Sequence, residues 1–130
     1  MEVNEKELVR SRNELITTLC LKECGISYRM EPRYPFRSAE GRRQYADFLL
    51  HFPDRQVYLE IAGMMNRESY SQAILYKQKQ SRDLNIPQLT VNMTEDKSTR
   101  IGFSYERLKE ILLNIRLGKQ PCQGEILRAC

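Results

Sequence analysis

YADFLLHFPDRQVYLEIA, residues 45–62, holds two apolar runs on either side of Pro53-Asp54, a pair suited to the centre of a tight turn. The pattern predicts an antiparallel hairpin. With Pro53 and Asp54 as the central turn residues, Phe52 faces Arg55, His51 faces Gln56 and Leu50 faces Val57; continued, the ladder sets Asp47 opposite Glu60. Directly opposite side chains have Cβ atoms about 5 Å apart, so two acids in those places repel unless something positive lies between them. Within the second run Val57, Leu59 and Ile61 share one face and Glu60 takes the other. On this reading Glu60 need not be buried in the core.

Working outward, residues 3–24 are strong helix formers without Gly or Pro, and Gly25 stands where a C-terminal cap is expected, which predicts a first helix. Its main apolar face is Leu8, Val9, Leu15, Ile16, Leu19 and Cys20, with Glu14 on the other side near Thr17, Thr18 and Leu21. ISYRMEPRYPF, residues 26–36, alternates like a strand, and its two prolines mark it as an edge or frayed one. RSAEGRRQ, residues 37–44, reads as a polar, basic loop.

Beyond Gly63 the period changes. Asn66 is suited to an N-cap, and a helix is predicted to about residue 84, ending before Asn85 and Pro87. At 100° per residue Tyr70, Ala73, Ile74, Ser81 and Leu84 fall on one face with Lys77 at its centre, whereas Lys79 projects outward among Gln72, Leu75 and Asp83. IPQLTVN at 86–92 reads as a strand and NMTEDKSTR at 92–100 as a loop. SYERLKEILLNIRLG reads as a helix capped by Ser104 and stopped by Gly118. Residues 119–130 read as a loosely held tail. The order helix, three strands, helix, strand, helix predicts a single α/β domain over residues 1–118, with a mixed central sheet flanked by helices and a further C-terminal helix.

Composition agrees with one core: 130 residues, 41% hydrophobic and 29% charged. Without a run of about 18 apolar residues, and with an N-terminal stretch charged from its second residue, neither a membrane span nor a signal peptide is expected. A soluble, intracellular, cytoplasmic protein is the resulting expectation. The four cysteines form no C-x-x-C pair and His51 is the lone histidine, which argues against structural zinc. A net charge of +4 permits an anionic partner without requiring one.

An Asp and a Glu on adjacent strands, with an inward lysine on the next helix, are the parts needed to cleave a phosphodiester with a divalent metal. Carboxylate oxygens suit a hard cation such as Mg²⁺ or Mn²⁺, which offsets charge at phosphorus and lowers the pKa of water. The lysine would orient that water or offset transition-state charge. Each group alone has a plainer reading, as a solvated or paired acid or a snorkelling lysine; their coincidence is the signal. Arg37, Arg42 and Arg43 before the Asp47 strand, Arg33 nearby, and Arg67 after the Glu60 strand are candidates for holding a DNA backbone or are simply a solvated surface. Tyr34 and Tyr70 are placed to stack or hydrogen-bond near the site, and Tyr70 is equally suited to the core.

RSRNELI, YRMEPRYPF, YADFLL and VYLEIAGMMNRESY with LYKQKQ together resemble the PD-(D/E)XK nuclease superfamily, in the branch similar to very-short-patch repair and helicase-associated nuclease domains. The resemblance covers roughly residues 10–92 and implies a restriction-endonuclease-like αβββαβ core. It implies catalytic roles for Glu14, Asp47, Glu60 and Lys77, and metal ligation by Asp47, Glu60 and the backbone carbonyl of Ile61. Ala46 replaces the motif proline, and Ala62 stands where the motif lysine is expected. In the branch resembled, a lysine 17 residues after the glutamate substitutes for it, which is Lys77, with Lys79 as the fallback. Glu14 keeps two readings: an acid at the metal or water if its helix packs through the side containing Leu21 and Cys24, or a solvated partner of Arg10. The implied activity is Mg²⁺- or Mn²⁺-dependent DNA endonuclease; a nuclease-fold module that binds nucleic acid or a protein without cleaving is the alternative. The resemblance leaves room for a homodimer and for a helicase or a repair or recombination partner.

Overall fold

The computed structural model describes residues 5–94, 104–118 and 123–128. Its elements are α1 (Glu5–Glu23), β1 (Ser27–Met30), β2 (Arg33–Arg37), β3 (Arg43–Tyr45), β4 (Phe48–His51), β5 (Gln56–Ala62), α2 (Glu68–Asp83), β6 (Gln88–Asn92), α3 (Tyr105–Arg116) and β7 (Gln123–Arg128). The five-stranded sheet has the order β1-β4-β5-β6-β7, antiparallel through β1, β4 and β5 and parallel from β5 to β7. β2 and β3 form a separate antiparallel ribbon. With the ribbon set aside, α1-β1-β4-β5-α2-β6 is the predicted helix, three strands, helix, strand, and the molecule is α/β with a mixed sheet.

Two strands read from the sequence each divide. Residues 26–36 break at Glu31, whose φ of 53° turns the chain, and Pro32 follows without an N–H for the ladder. β1 therefore stays on the main sheet beside β4 and β2 leaves it. Residues 45–52 break at Ala46-Asp47, with Tyr45 in the ribbon and Phe48 in the sheet. The end of the chain also differs from the loose tail expected, since residues 123–128 pair in parallel with β6 as β7. Six residues there can close a parallel edge, which local composition does not reveal. Residues 95–100 of the predicted loop lie outside the described residues.

Val57, Leu59 and Ile61 point to the larger core, where Cys20 and Leu21 of α1, Cys24 just past its end, and Leu108, Ile111, Leu112 and Ile115 of α3 cover them. α3 starts and stops as predicted: Ser104 Oγ accepts from the Arg107 N–H at 3.2 Å. α1 packs through a different side from the one its leucines suggest. Leu8, Leu15 and Leu19 are more than half exposed, and Asn13, Thr17, Cys20, Leu21 and Cys24 are buried. Small side chains let the helix lie close to its neighbours. Thr17 can be buried because its hydroxyl donates to the Asn13 carbonyl at 2.7 Å. Gly63 meets the same helix: a Cβ there would lie 2.5 Å from Asn13 Nδ2 and 2.6 Å from Val9 Cγ1.

α2 and the ribbon cover the opposite face, where Tyr34, Phe36 and Ala46 pack with Tyr58, Tyr76 and Ile86. Tyr34 stacks between Phe36 and Tyr58 with ring centroids 4.6 Å from each. Arg67, not Asn66, holds the N-cap position of α2, with no side-chain hydrogen bond to the helix end. Ile74 and Ser81 of the predicted inner face are buried; Ala73 and Leu84 are exposed, and Gln78 is buried instead. Among the described residues no helix is long and apolar enough to cross a membrane.

Candidate active site

The hairpin has the predicted register, with Leu50 opposite Val57 and His51 opposite Gln56, and the ladder ends at Phe48 opposite Leu59. One step further the ladder would set Asp47 opposite Glu60, but that rung does not form and the backbone has turned to β1's side: the Asp47 carbonyl accepts from the Glu31 N–H at 2.9 Å. The Asp47 side chain takes the vacated place, its Oδ2 accepting from the Ile61 N–H at 2.7 Å. Tyr58 N–H and the Ala62 carbonyl face β6, at 3.0 and 2.7 Å from their partners, so the peptide groups of Ile61 face the β4 side. Its carbonyl thus lies beyond the last rung of that ladder.

Glu60 is only 2% exposed, contrary to the expectation that its side of the strand would spare it burial. The reason is the ribbon, which turns the polar face of β5 into a second interior. Glu60 Oε1 accepts from the Tyr34 hydroxyl at 3.0 Å and from Lys77 Nζ at 3.3 Å. Lys77 Nζ also donates to the Tyr45 carbonyl at 2.7 Å, so the ribbon holds the lysine against the acid. Lys79, by contrast, pairs with Asp83 on the surface at 2.9 Å, which removes it as the fallback.

A cleft of about 560 Å³ opens over this pair, between the N-terminal halves of α1 and α2 and the rim of β3. Of the residues singled out from the sequence, Glu14, Asp47, Glu60, Ile61, Lys77, Tyr70 and Arg43 line it. Arg37, Arg42 and Arg67 do not: the first two belong to the ribbon and its turn, and the third is exposed at the start of α2. Glu14 reaches the cleft because α1 packs through its Leu21 and Cys24 side, yet it also accepts from Arg10 Nε at 3.0 Å. Arg10 in turn bridges to Glu31 at 2.6 Å. Glu14 thus lines the cleft while paired to Arg10. Tyr70 accepts from the Gly63 N–H at 3.3 Å, and burial pushes its phenol up to about 12.

Electrostatically the acids are crowded. Burial pushes Glu60 up to about 7; Lys77 pulls it down and Asp47 pushes it further up. Burial also raises Asp47 above the usual carboxylate range, against the lowering influence of the Ile61 N–H, Lys77 and Arg10. Tyr34, raised by burial and by Glu60, stays protonated and so remains a donor.

Among the described residues the hydrogen bonds to these acids use Asp47 Oδ2 and Glu60 Oε1. Asp47 Oδ1 and Glu60 Oε2 are left for other partners. Among the described residues no group of three or more His, Cys, Asp and Glu side chains gathers closely enough to hold a metal; the carboxylates converge as a pair. Two carboxylates and a free carbonyl suit Mg²⁺, which takes one or two carboxylates and keeps several waters, and raised acids in a buried cluster are what a hard cation would relieve.

Several residues of this site were not singled out from the sequence. Asn13 packs against Gly63, Glu31 anchors Arg10, and Gln88 and Thr90 are fully buried beneath Glu60 on the same sheet face. Gln88 Nε2 donates to Thr90 Oγ1 at 3.0 Å. The alternation in QLTVN carries a signal for the last two, since Gln88 and Thr90 interleave with Leu89 and Val91 as Glu60 does with Leu59 and Ile61. Asn13 and Glu31 have no comparable signal. Comparison with protein-family models, with curated proteins and with solved structures yields no match for this chain.

Proposed function

We propose that this chain is a divalent-metal-dependent phosphodiesterase acting on DNA, an endonuclease with a restriction-endonuclease-like core of the PD-(D/E)XK type and its lysine relocated to α2. The observation that carries the reading is that Asp47, bonded to the Ile61 N–H, and Glu60, bonded to Lys77, line one cleft at the open end of the hairpin. Asp47, Glu60 and the Ile61 carbonyl are the groups that would hold Mg²⁺ or Mn²⁺. When bound, the ion supplies positive charge at the scissile phosphate and lowers the pKa of water beside it.

The chain's own groups do the rest. Tyr34 fixes Glu60 by donating to Oε1, which leaves Oε2 for the ion. The Ile61 N–H fixes Asp47 in the same way through Oδ2. Lys77, held by the Tyr45 carbonyl, keeps its ammonium beside the acids, where it orients the attacking water and offsets charge growing on the phosphate oxygens. Arg43 at the rim, which forms no ion pair among the described residues, would hold a flanking phosphate.

The test is Glu60→Ala on plasmid and branched DNA in Mg²⁺ or Mn²⁺. Cleavage falls to background while the circular-dichroism spectrum and cooperative melting persist; undiminished cleavage by the folded variant would overturn the proposal. A second reading, a binding module of nuclease descent, is favoured by Ala62 at the motif lysine position and by the limited number of converging acids. Calorimetry separates the two: DNA binding without Mn²⁺ binding near millimolar concentration supports the module.

A further inference from the structure

The loop expected at residues 37–44 is instead the tip of a hairpin, and its construction points to a specific use. β2 and β3 pair Arg33 with Tyr45 and Arg37 with Arg43, so these four side chains share one face. All four are exposed, and so is Pro35 between them, while Tyr34 and Phe36 on the reverse face are buried under α2 and β5. The turn closes by hydrogen bonds from the Ser38 N–H to the Arg42 carbonyl and from the Gly41 N–H to the Ser38 carbonyl, each at 2.9 Å. Gly41 adopts a φ of 81°, which a side chain would strain.

Residues 33–45 carry Arg33, Arg37, Arg42 and Arg43 against Glu40, a net +3 of the chain's +4. Among the described residues Arg33, Arg42 and Arg43 form no ion pair. The ribbon is also pinned from behind. The carbonyls of Arg33, Arg37 and Tyr45 accept from the Tyr58 hydroxyl at 3.3 Å, the Tyr76 hydroxyl at 2.6 Å and Lys77 Nζ at 2.7 Å. A fixed, basic, two-stranded surface thus begins at the rim of the cleft, since Arg43 and Tyr45 line both.

We infer that the outer face of the β2–β3 ribbon docks in the major groove of double-stranded DNA, with its arginines on base edges and phosphates and Tyr45 on the groove wall. This rests on the phosphodiesterase reading for the role of the neighbouring cleft and narrows its substrate to duplex DNA. Two strands about 4.8 Å apart, with their side chains, match a groove about 12 Å wide. Arginine is the side chain that reads guanine O6 and N7 in pairs and also neutralises phosphates. The deep, narrow major groove of duplex RNA does not admit such a ribbon. Because the ribbon is held at three backbone points, little order has to be gained on binding.

The experiment uses the full chain carrying Glu60→Gln, so that DNA stays intact, in buffer with EDTA. Fluorescence anisotropy compares a mixed-sequence DNA duplex containing an A·T tract with one of its single strands and with duplex RNA. Tighter binding to duplex DNA is expected, with Arg33→Ala and Arg43→Ala each weakening it roughly tenfold or more and leaving the melting temperature unchanged. Removing a guanidinium that contacts a phosphate should reduce the slope of log affinity against log salt by about one. Methylation of guanine N7 should interfere, and the minor-groove ligand netropsin should not compete. Equal binding of the single strand or of duplex RNA, displacement by netropsin, or unaltered binding by both arginine variants would overturn the inference. If these binding results hold and the unsubstituted chain never cleaves, ribbon docking stands and the phosphodiesterase reading fails; cleavage with no effect of the arginine variants gives the reverse.

Discussion

β5 presents two faces that are almost equally dry and chemically opposite. On one side Val57, Leu59 and Ile61 meet α1 and α3 in an apolar core. On the other, Glu60 sits 2% exposed beside Tyr34, Gln88 and Thr90 under α2 and the ribbon. Burial of the first face stabilises the fold in proportion to the apolar area removed from water. Burial of the second costs stability unless each polar atom finds a partner, and Gln88 Oε1 finds none among the described residues. Stability and chemistry are therefore assigned to alternate residues of one strand. The polar face is the kind of place where a fold holds groups away from their ordinary protonation states.

The comparison can be broken most forcibly at adjacent positions. Leu59→Ala should lower unfolding free energy by about 2–5 kcal/mol, because it leaves a cavity in a packed layer. Glu60→Gln, one residue away, should leave stability nearly unchanged or raised at pH 8, since it removes a buried charge. Urea denaturation of both variants measures the contrast, and a Glu60→Gln loss as large as that of Leu59→Ala would mean that the polar face is ordinary core.

The next effect is a pH dependence confined to the polar face. Glu60 is raised from an ordinary 4.5 to about 7 in the folded chain, so between those values the native state binds more protons than the unfolded one. Its stability contribution is then fully present below about pH 4.5 and is lost as pH rises through about 7. The difference between the unsubstituted chain and Glu60→Gln should grow across this window by up to about 3 kcal/mol in urea midpoints. A difference that stays flat with pH would show that Glu60 ionises normally.

A further contrast lies between two lysines on one helix. Lys77→Met should reduce cleavage by roughly 10²–10³-fold, since it strips the charge from the acid pair. Lys79→Met should leave rates unchanged and stability within about 0.5 kcal/mol, as expected of an exposed pair with Asp83. Steady-state cleavage of plasmid DNA by the two variants is the measurement. Equal effects would remove the reason for choosing between them.

Much of this was legible in advance because hairpins and helices are local objects. The register from Leu50 opposite Val57 follows from a turn and a period of two, and it holds as far as Phe48 opposite Leu59, one step short of Asp47 and Glu60. The 100° periodicity of α2 separated Lys77 from Lys79 for the same reason. The side of α1 that faces inward was not legible. Leu8, Leu15 and Leu19 outweigh Asn13 and Thr17 on any hydrophobic scale, yet Gly63 on another element makes the closer approach available to the smaller side. That packing decided whether Glu14 reached the cleft. The ribbon was likewise hidden, because its strands pair over a bulge between Arg33 and Arg37 and a turn read only as polar loop.

What the amino-acid sequence determined by itself is the hairpin register that leads toward Asp47 and Glu60 and the face of α2 that carries Lys77, because each depends on spacing within a few residues of a turn or along one helix. Tertiary structure alone decided that these groups are shut in together. The ribbon carries Tyr34 and the Tyr45 carbonyl across the polar face of β5, and together with α2 it buries Glu60, holds Lys77 beside it and raises its proton affinity. Desolvation depends on what lies above a residue in space, and no local pattern encodes it.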